Sequence, residues 1–137
     1  MNNHIPRIRE NAMFAAAVTE CIEACNAAGQ LCEQCAMNSL VTGETRDDAV
    51  LRCLDCVTVT NMAALVLRRG SPLVLGALDL CAAACERCAE ACDESNEGIW
   101  DQCGHACREA ARSCRELGVV YDRRRAEASS PESRNTM

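Results

Sequence analysis

The sequence has few of the residues that usually fill a protein core. It contains one Phe, one Trp and one Tyr in 137 residues, and only three prolines. Proline disrupts helix interiors, whereas the abundant Ala and Glu favour them, so this composition is typical of a helical protein. The length suits one domain with its own core, and aromatic rings cannot be what fills that core.

The chain also has no surplus of positive charge. Lys and Arg number 14 against 20 Asp and Glu, which gives a formal net charge of −6 at pH 7. A nucleic-acid-binding protein needs a basic face to replace the counterions along the phosphates. The run Arg123–Arg125 is interpreted as a solvated helix end. We therefore expect no nucleic-acid partner.

Long hydrophobic runs are scarce as well. No apolar run approaches the length of a membrane span, and Arg7, Arg9 and Glu10 interrupt the apolar residues near the N-terminus. The sequence therefore predicts neither a membrane segment nor a signal peptide. The expected location is cytoplasmic, where thiols are kept reduced.

Cysteine is the residue present in excess. There are 13 cysteines, and the stretch CAAACERCAEAC at 81–92 holds four of them. In a short secreted chain this content would indicate a disulfide scaffold. An odd number of cysteines in a reducing compartment instead favours metal ligation.

Turn-forming residues divide the chain into four helical segments. Gly43 and Gly70 follow the first two segments, and Ser71 and Pro72 fit the N-cap and first position of the third. The predicted helices span residues 8–41, 46–69, 72–94 and 97–121. The first is long enough to contain a kink or to be preceded by a separate short helix.

The connections between these helices are short, which predicts antiparallel neighbours. The expected fold class is therefore all-α, an antiparallel up-down-up-down four-helix bundle with a cysteine-lined core. The bundle would form one metal-binding domain over residues 1–125. Residues 126–137 have the polar composition of a disordered tail.

The cysteines occupy one narrow stripe on each predicted helix. At about 100° per residue, the stripe covers about 80° on the first helix, about 60° on the third and about 40° on the fourth, with charged residues opposite. The second helix carries a neighbouring pair. The candidate inward-facing metal ligands are Cys21, Cys25, Cys32, Cys35, Cys53, Cys56, Cys81, Cys85, Cys88, Cys92, Cys103, Cys107 and Cys114.

The two ends of the predicted bundle differ in composition. One end gathers most of the cysteines, with Cys21, Cys81 and Cys114 near the middle, and the other gathers apolar residues from all four helices. The apolar residues are Phe14, Val18, Leu65, Val66, Leu67, Leu73, Val74, Leu75, Leu78, Leu117, Val119 and Tyr121. We expect a hydrocarbon core in one half and a sulfur-lined core in the other.

Cu(I) is the metal that this arrangement favours. It is soft, prefers thiolate and is the copper state expected in a reducing compartment. If each thiolate bridges two ions, the filled core is nearly neutral, and ligand counting then gives roughly a dozen ions per chain, a number typical of storage. Two sulfurs one helical turn apart can hold Cu(I), and four Cys-x-x-x-Cys pairs have that spacing: Cys21/Cys25, Cys81/Cys85, Cys88/Cys92 and Cys103/Cys107.

Other interpretations of the cysteines remain open. Cys32, Cys35, Cys53 and Cys56 could form one four-thiolate zinc site, which would leave most sulfurs unused and carry a net charge of −2. An iron–sulfur or thiol redox protein is a further alternative, although the ferredoxin spacing is absent and inward thiols are poor redox centres. Hydrophobic packing alone is the simplest interpretation of the cysteines, but a core filled with cysteine buries less apolar area than one filled with leucine. No acid–base or nucleophile arrangement is visible, so we expect no enzyme.

Four helices, inward Cys-x-x-x-Cys pairs and a lumen lined by cysteine alone resemble the bacterial copper storage proteins, specifically their cytosolic branch. The resemblance covers residues 8–121. It implies a homotetramer of four-helix bundles that takes many Cu(I) ions into its interior, without catalytic turnover as its main role. It further implies that the four Cys-x-x-x-Cys pairs bind copper along single helices and that the other five cysteines join between helices. It identifies no donor or acceptor protein for the copper.

The resemblance also implies His, Met or polar ligands where copper enters, at the cysteine-lined end near residues 42–45 and 94–98. His105 is the candidate, although it lies about 180° from the cysteines of its own helix, an angle that favours a surface role. Met37 and Met62 are similarly turned away. Cytosolic members can contain more cysteine, which implies a lower capacity here, with the second helix the poorest in sulfur.

Overall fold

Four α-helices make up almost all of the described part of the chain. The structure is a computed structural model that describes residues 4–43, 47–95 and 98–129, with side chains from residue 8 onward. The helices are α1 (His4–Thr42), α2 (Asp47–Arg69), α3 (Val74–Asp93) and α4 (Gly98–Ala128). The predicted all-α fold class is confirmed.

Each helix packs against two others. α1 and α3 both contact α2 and α4, so the pairs α1/α3 and α2/α4 lie across the diagonals of the bundle. Short connections make consecutive helices antiparallel. The predicted up-down-up-down four-helix bundle is therefore confirmed.

Glycines in the left-handed conformation follow the first two helices. Gly43 has a φ of 72° and Gly70 a φ of 61°, a region that favours glycine at a helix C-terminus. The Gly70 amide donates a hydrogen bond to the Leu67 carbonyl at 3.2 Å, which closes the last turn of α2. The sequence-based ends of these two helices agree with the structure to within one residue.

The first residues of α1 and α3 differ from the approximate predicted ones by four and two residues. α1 is one helix of 39 residues, His4–Thr42, and no separate helix precedes it among the residues that the structure describes. α3 begins at Val74, because Ser71 and Pro72 form a turn in which the Ser71 hydroxyl accepts a hydrogen bond from the Leu73 amide at 3.1 Å. Ser71 is therefore not the N-cap of the α-helix.

The fourth helix is longer than predicted. It continues past residue 121 to Ala128 and includes the arginine run at 123–125. Cations in a last helical turn interact favourably with the helix dipole, which supports this extension. Residues 126–128 of the predicted tail are thus helical, and residues 130–137 lie outside the described residues. The division into a domain and a tail stays a prediction.

The expectation about membrane-length runs needs a correction. α2 is 23 residues long and contains an 18-residue window with a mean hydropathy of 1.6, enough by length and composition to cross a membrane. The sequence-based prediction that no apolar run approaches the length of a membrane span is therefore wrong. The core helix of a bundle passes the same test, and α2 buries eight residues against its neighbours, among them Cys53, Cys56 and Thr60.

Apolar side chains fill the half of the bundle opposite most of the cysteines. The buried members are Val66, Leu67, Val74, Leu78 and Leu117. At the same end Phe14 packs edge-on against Tyr121, with ring centroids 5.1 Å apart. Leu65, Leu73 and Val119 are exposed, so the hydrocarbon core is smaller than predicted.

α1 and α2 approach each other closely at Gly29. The buried Thr60 hydroxyl donates a hydrogen bond to the Cys56 carbonyl at 2.7 Å, which fixes its position. A Cβ atom added to Gly29 would lie 2.7 Å from Thr60 Oγ1, closer than non-bonded atoms pack. Glycine at position 29 therefore permits this helix contact.

Replacing Gly29 with alanine should destabilise the metal-free protein by about 1–3 kcal/mol, because overpacking outweighs the better helix propensity of alanine. Anaerobic denaturant unfolding measures the change. Gly118→Ala is the matched control, since nothing lies within 4 Å of a Cβ there, and it should be neutral or stabilising. In a Thr60→Ala background, where the clashing oxygen is gone, Gly29→Ala should no longer destabilise. Equal effects of the two glycine substitutions would contradict the close approach.

Candidate metal centre

All thirteen cysteines are buried, and none forms a disulfide. Each has at most 1 % of its surface exposed. The predicted inward orientation of the four stripes is therefore confirmed. Their role as metal ligands stays a prediction, which the geometry of the sulfur atoms helps to assess.

Helical periodicity determines where the sulfurs lie, because residues three or four apart share a face. α3 carries a cysteine at every turn from 81 to 92. α1 carries cysteines at 21, 25, 32 and 35 and skips the turn between 25 and 32. α4 carries them at 103, 107 and 114 and skips the turn between 107 and 114, and α2 carries only Cys53 and Cys56.

Four sulfurs from α1, α3 and α4 meet near the middle of the bundle. We call Cys21, Cys25, Cys81 and Cys114 the central group. The Sγ atom of Cys25 lies 3.7 Å from that of Cys81 and 3.8 Å from that of Cys114. The Cys21 and Cys114 sulfurs are 3.7 Å apart. The sulfurs of Cys21, Cys25 and Cys114 all lie within 4.8 Å of one another, so three thiols converge on a space of the size of one ion.

The other nine sulfurs lie toward the end where α1 meets α2 and α3 meets α4. We call Cys32, Cys35, Cys53, Cys56, Cys85, Cys88, Cys92, Cys103 and Cys107 the terminal group. Cys32 is the most connected: its Sγ lies 3.5 Å from the sulfurs of Cys103 and Cys107 and 3.6 Å from that of Cys88. Sulfur atoms of α1 and α3, which lie across a diagonal of the bundle, are therefore in contact.

Two sets of four sulfurs in the terminal group could each surround one ion. The first is Cys32, Cys56, Cys88 and Cys107, and the second is Cys32, Cys53, Cys88 and Cys103. Both sets contain Cys32 and Cys88. The two positions therefore share sulfur atoms, which is the arrangement of a cluster with bridging thiolates.

The sulfur spacing suits metal ligation without rearrangement of the helices. A metal–sulfur bond of about 2.3 Å places two ligand sulfurs about 3.8 Å apart in a tetrahedral site and about 4.0 Å apart in a trigonal one. The hydrogen-bonded sulfurs in the core are 3.5 to 3.9 Å apart. The remaining sulfur pairs of each candidate set lie within 4.8 Å of one another, so a bound ion would require shifts of up to about 1 Å.

The thiols of the core differ in pKa. Hydrogen bonds from Cys103 and Cys107 lower the pKa of Cys88 from its ordinary 9.0 to about 6, because they stabilise a thiolate. Contacts with Cys107 and then Cys56 raise the pKa of Cys85, since a thiol that donates to a neighbouring thiolate keeps its proton. Some thiols of the metal-free core therefore ionise more readily than a free thiol, whereas others keep their protons.

Three residues at the cysteine-lined end did not emerge from the sequence. Trp100 is buried there with 4 % of its surface exposed, and the adjacent Ile99 carbonyl accepts a hydrogen bond from the Cys35 thiol at 3.5 Å. Ser39, one turn beyond Cys35, is buried with no hydrogen-bond partner for its hydroxyl among the described residues. The spacing of Ser39 from Cys35 was the one available indication, since it continues the cysteine stripe of α1.

His105, the candidate ligand at the point of copper access, lies on the exposed surface of α4, away from the sulfurs. Met37 is exposed as well, with 55 % of its surface accessible. The structure therefore does not bring either residue to the sulfur-lined core. Among the described residues, each group of three or more side chains placed to hold a metal consists of cysteines alone.

The fold resembles solved structures. The Cu(I)-bound copper storage protein BsCsp3 has a TM-score of 0.70 and 24 % identity to this chain, over 74 % of this chain and 98 % of its own. The Nmul_A1745 protein from Nitrosospira multiformis has a TM-score of 0.70 and 25 % identity, over 77 % of this chain and 98 % of its own. No curated protein sequence matches the chain.

A four-helix bundle whose buried sulfurs are close enough to hold several ions belongs to the class of cysteine-rich metal-binding bundles. The sequence assigns the chain to one family within this class. Residues 14–119 match the family described as copper storage protein. The chain belongs to the copper storage protein family, and the sequence-based resemblance to that family is confirmed.

The metal-free protein should lose stability as the pH rises above about 9. Thiols of the unfolded chain ionise near 9.0, whereas contact with Cys107 raises the pKa of Cys103 and contact with Cys21 raises that of Cys114 in the folded state. The unfolded state then binds fewer protons than the folded state, so the free energy of unfolding falls with rising pH. Anaerobic thermal unfolding between pH 8 and pH 10 with a phosphine reductant measures this. A variant with Cys103 and Cys114 changed to Ser should lose less stability over that interval, and an identical loss would contradict the role of these thiols.

Proposed function

We propose that this protein stores Cu(I) in clusters of bridging cysteine thiolates along the bundle axis. One observation carries the proposal: the two four-sulfur sets of the terminal group share Cys32 and Cys88. Isolated tetrathiolate zinc sites would each need four sulfurs of their own. Shared sulfurs favour a polynuclear cluster, and Cu(I) is the soft ion that accepts two or three thiolates.

Charge supports the same ion. A buried charge is tolerated only when it is neutralised locally. Thirteen thiolates facing a similar number of monovalent ions would leave a nearly neutral core, whereas each separate zinc tetrathiolate would leave a net charge of −2. We therefore propose that all thirteen cysteines are ligands and that the ions are cargo.

We further propose a binding role without turnover, a cytoplasmic location and a homotetrameric assembly. Storage needs no turnover, and buried thiols without an accessible nucleophile support a binding role over an enzymatic one. A reducing cytoplasm would keep the thirteen thiols free and copper as Cu(I), which supports a cytoplasmic location. We also propose the homotetramer that the family resemblance implies.

Anaerobic titration with a Cu(I)–chelator complex should show uptake of more than about eight ions per chain, because each thiolate can serve two ions. The chelator's absorbance reports the copper taken up, and thiolate charge-transfer bands report the ligands. Saturation at one or two ions would contradict storage. A parallel Zn(II) titration should saturate at far fewer ions, since zinc cannot fill the core without accumulating charge.

Two cysteine variants give this titration an internal control. Cys32 belongs to both four-sulfur sets, whereas Cys35 belongs to neither and donates to a carbonyl instead. Cys32→Ser should therefore lose at least about twice as many ions as Cys35→Ser, because a bridging sulfur supports two sites. Equal losses would contradict the shared-sulfur cluster.

The assembly state has its own test. Multi-angle light scattering should give a mass about four times the chain mass of 14.8 kDa, with and without copper. Exposed apolar residues on the outer faces of α1, α2 and α3, among them Leu40, Leu51 and Leu80, provide surface for such contacts. A monomer at micromolar concentration would contradict the tetramer.

A further inference from the structure

The sulfur lining of the bundle is interrupted between the central and terminal groups. In α1 the cysteines at 25 and 32 are seven residues apart, and in α4 the cysteines at 107 and 114 are also seven residues apart. Seven residues of helix correspond to a rise of about 10.5 Å, too far for two sulfurs to share one ion. Neither α1 nor α4 therefore provides a continuous series of ligands.

A belt of residues without sulfur fills this gap. It consists of Ala28, Gly29, Thr60 and Ala110, all buried. Thr60 takes the position on α2 one turn beyond Cys56, where a further cysteine would continue the stripe. Its hydroxyl donates to the Cys56 carbonyl at 2.7 Å, and a hydroxyl is a poor ligand for a soft ion. Three of the four helices thus offer no sulfur at the level of the belt.

α3 is the exception. Cys81 belongs to the central group through its contact with Cys25 at 3.7 Å, and Cys85 belongs to the terminal group through its contact with Cys56 at 3.5 Å. They are one turn apart on the same face, where side chains are neighbours. The side chains of Cys81 and Cys85 also interact with each other. No sulfur–sulfur hydrogen bond among the described residues joins the two groups directly, and Cys81 and Cys85 are the one pair, among the described helices, in which a single helical turn separates a central from a terminal cysteine.

The opposite end of the bundle offers no sulfur route to the central group. Beyond it the core is hydrocarbon, with Leu67, Leu78 and Leu117 buried and the Phe14–Tyr121 ring pair further along. A desolvated copper ion has no ligand in such a core. Copper bound by the central group must therefore have passed through the terminal group.

We infer that Cys85 and Cys81 of α3 form the step by which copper passes from the terminal to the central group, an inference that rests on the proposed storage function. The step is a ligand exchange. The bond from Cu(I) to the Cys81 sulfur forms as the bond to the Cys85 sulfur breaks, and the released Cys85 thiolate takes up the proton that Cys81 loses. Copper remains Cu(I), so no oxidant or reductant takes part.

Stopped-flow loading of the full-length metal-free protein with a Cu(I)–chelator complex tests this step. Wild-type protein should load in two phases, a fast one that changes the fluorescence of Trp100 beside the terminal group and a slow one for the central group. Cys114→Ser identifies the slow phase, because it removes a central sulfur and should reduce that amplitude. Cys85→Ser should slow the phase at least about tenfold, equivalent to a barrier higher by about 1.4 kcal/mol.

Cys53→Ser is the matched control for Cys85→Ser. Each of these two cysteines belongs to the terminal group and makes one sulfur–sulfur hydrogen bond within it, Cys53 to Cys88 at 3.6 Å and Cys85 to Cys56 at 3.5 Å. Cys53→Ser should lose more copper than Cys85→Ser, because Cys53 belongs to one of the four-sulfur sets and Cys85 to neither, but only Cys85→Ser should slow the second phase. Equal slow-phase rates in the two variants would overturn the inference while leaving storage intact.

A gain-of-function variant covers the case in which Cys85→Ser perturbs folding. Thr60→Cys places a sulfur in the belt, next to Cys56, and should restore the slow phase in the Cys85→Ser background. Thr60→Val fills the same space without sulfur and should not restore it. Rescue by both or by neither would overturn the inference. Uptake of only one or two ions by wild-type protein would instead contradict the storage function itself.

Discussion

Contact between sulfur atoms in a buried core is the constraint on which the rest of this structure depends. A protonated thiol packs as a small hydrophobic group, and neighbouring thiols stabilise one that ionises, such as Cys88, so the metal-free bundle can bury thirteen cysteines. The same atoms as thiolates would repel one another unless a cation stood between them. Folding and metal loading therefore use the same side chains in two protonation states, and a monovalent ion exchanges for a proton without changing the charge of the core.

Small residues make this contact geometry attainable. Cysteine is shorter than leucine, so sulfurs from facing helices meet at 3.5 to 3.9 Å only when the backbones approach closely. Buried Ala28, Ala63, Ala82 and Ala110, together with Gly29, permit that approach. Such a core buries little apolar area. Leucine and valine in the opposite half offset this loss, so the sulfur-lined half can be arranged for ligation.

Sequence periodicity was sufficient to predict the four-helix bundle and the inward orientation of the cysteine stripes, because the angle between residues around a helix axis follows from their spacing in the sequence. It could not show which sulfurs meet, since contacts such as Cys32 with Cys103 depend on the relative rotation and axial offset of two helices. The burial of Trp100 and the end of α4 also depended on packing between elements. Ser71 was assigned as an N-cap from local chemistry, and the turn at Pro72 overrode that preference.

Thr60 shows how one side chain can divide a metal-binding core without weakening the fold. It is buried where a cysteine would continue the stripe, and its hydroxyl donates to the carbonyl of Cys56, so it leaves no unpaired polar group. A threonine hydroxyl is a poor ligand for a soft ion, so this position provides none. Because α1 and α4 skip a turn at the same level, the division passes through three helices and leaves only the unbroken stripe of α3. A core lined by cysteine on every turn of every helix would form one continuous cluster, whereas this one has two groups of thiols joined along a single helix.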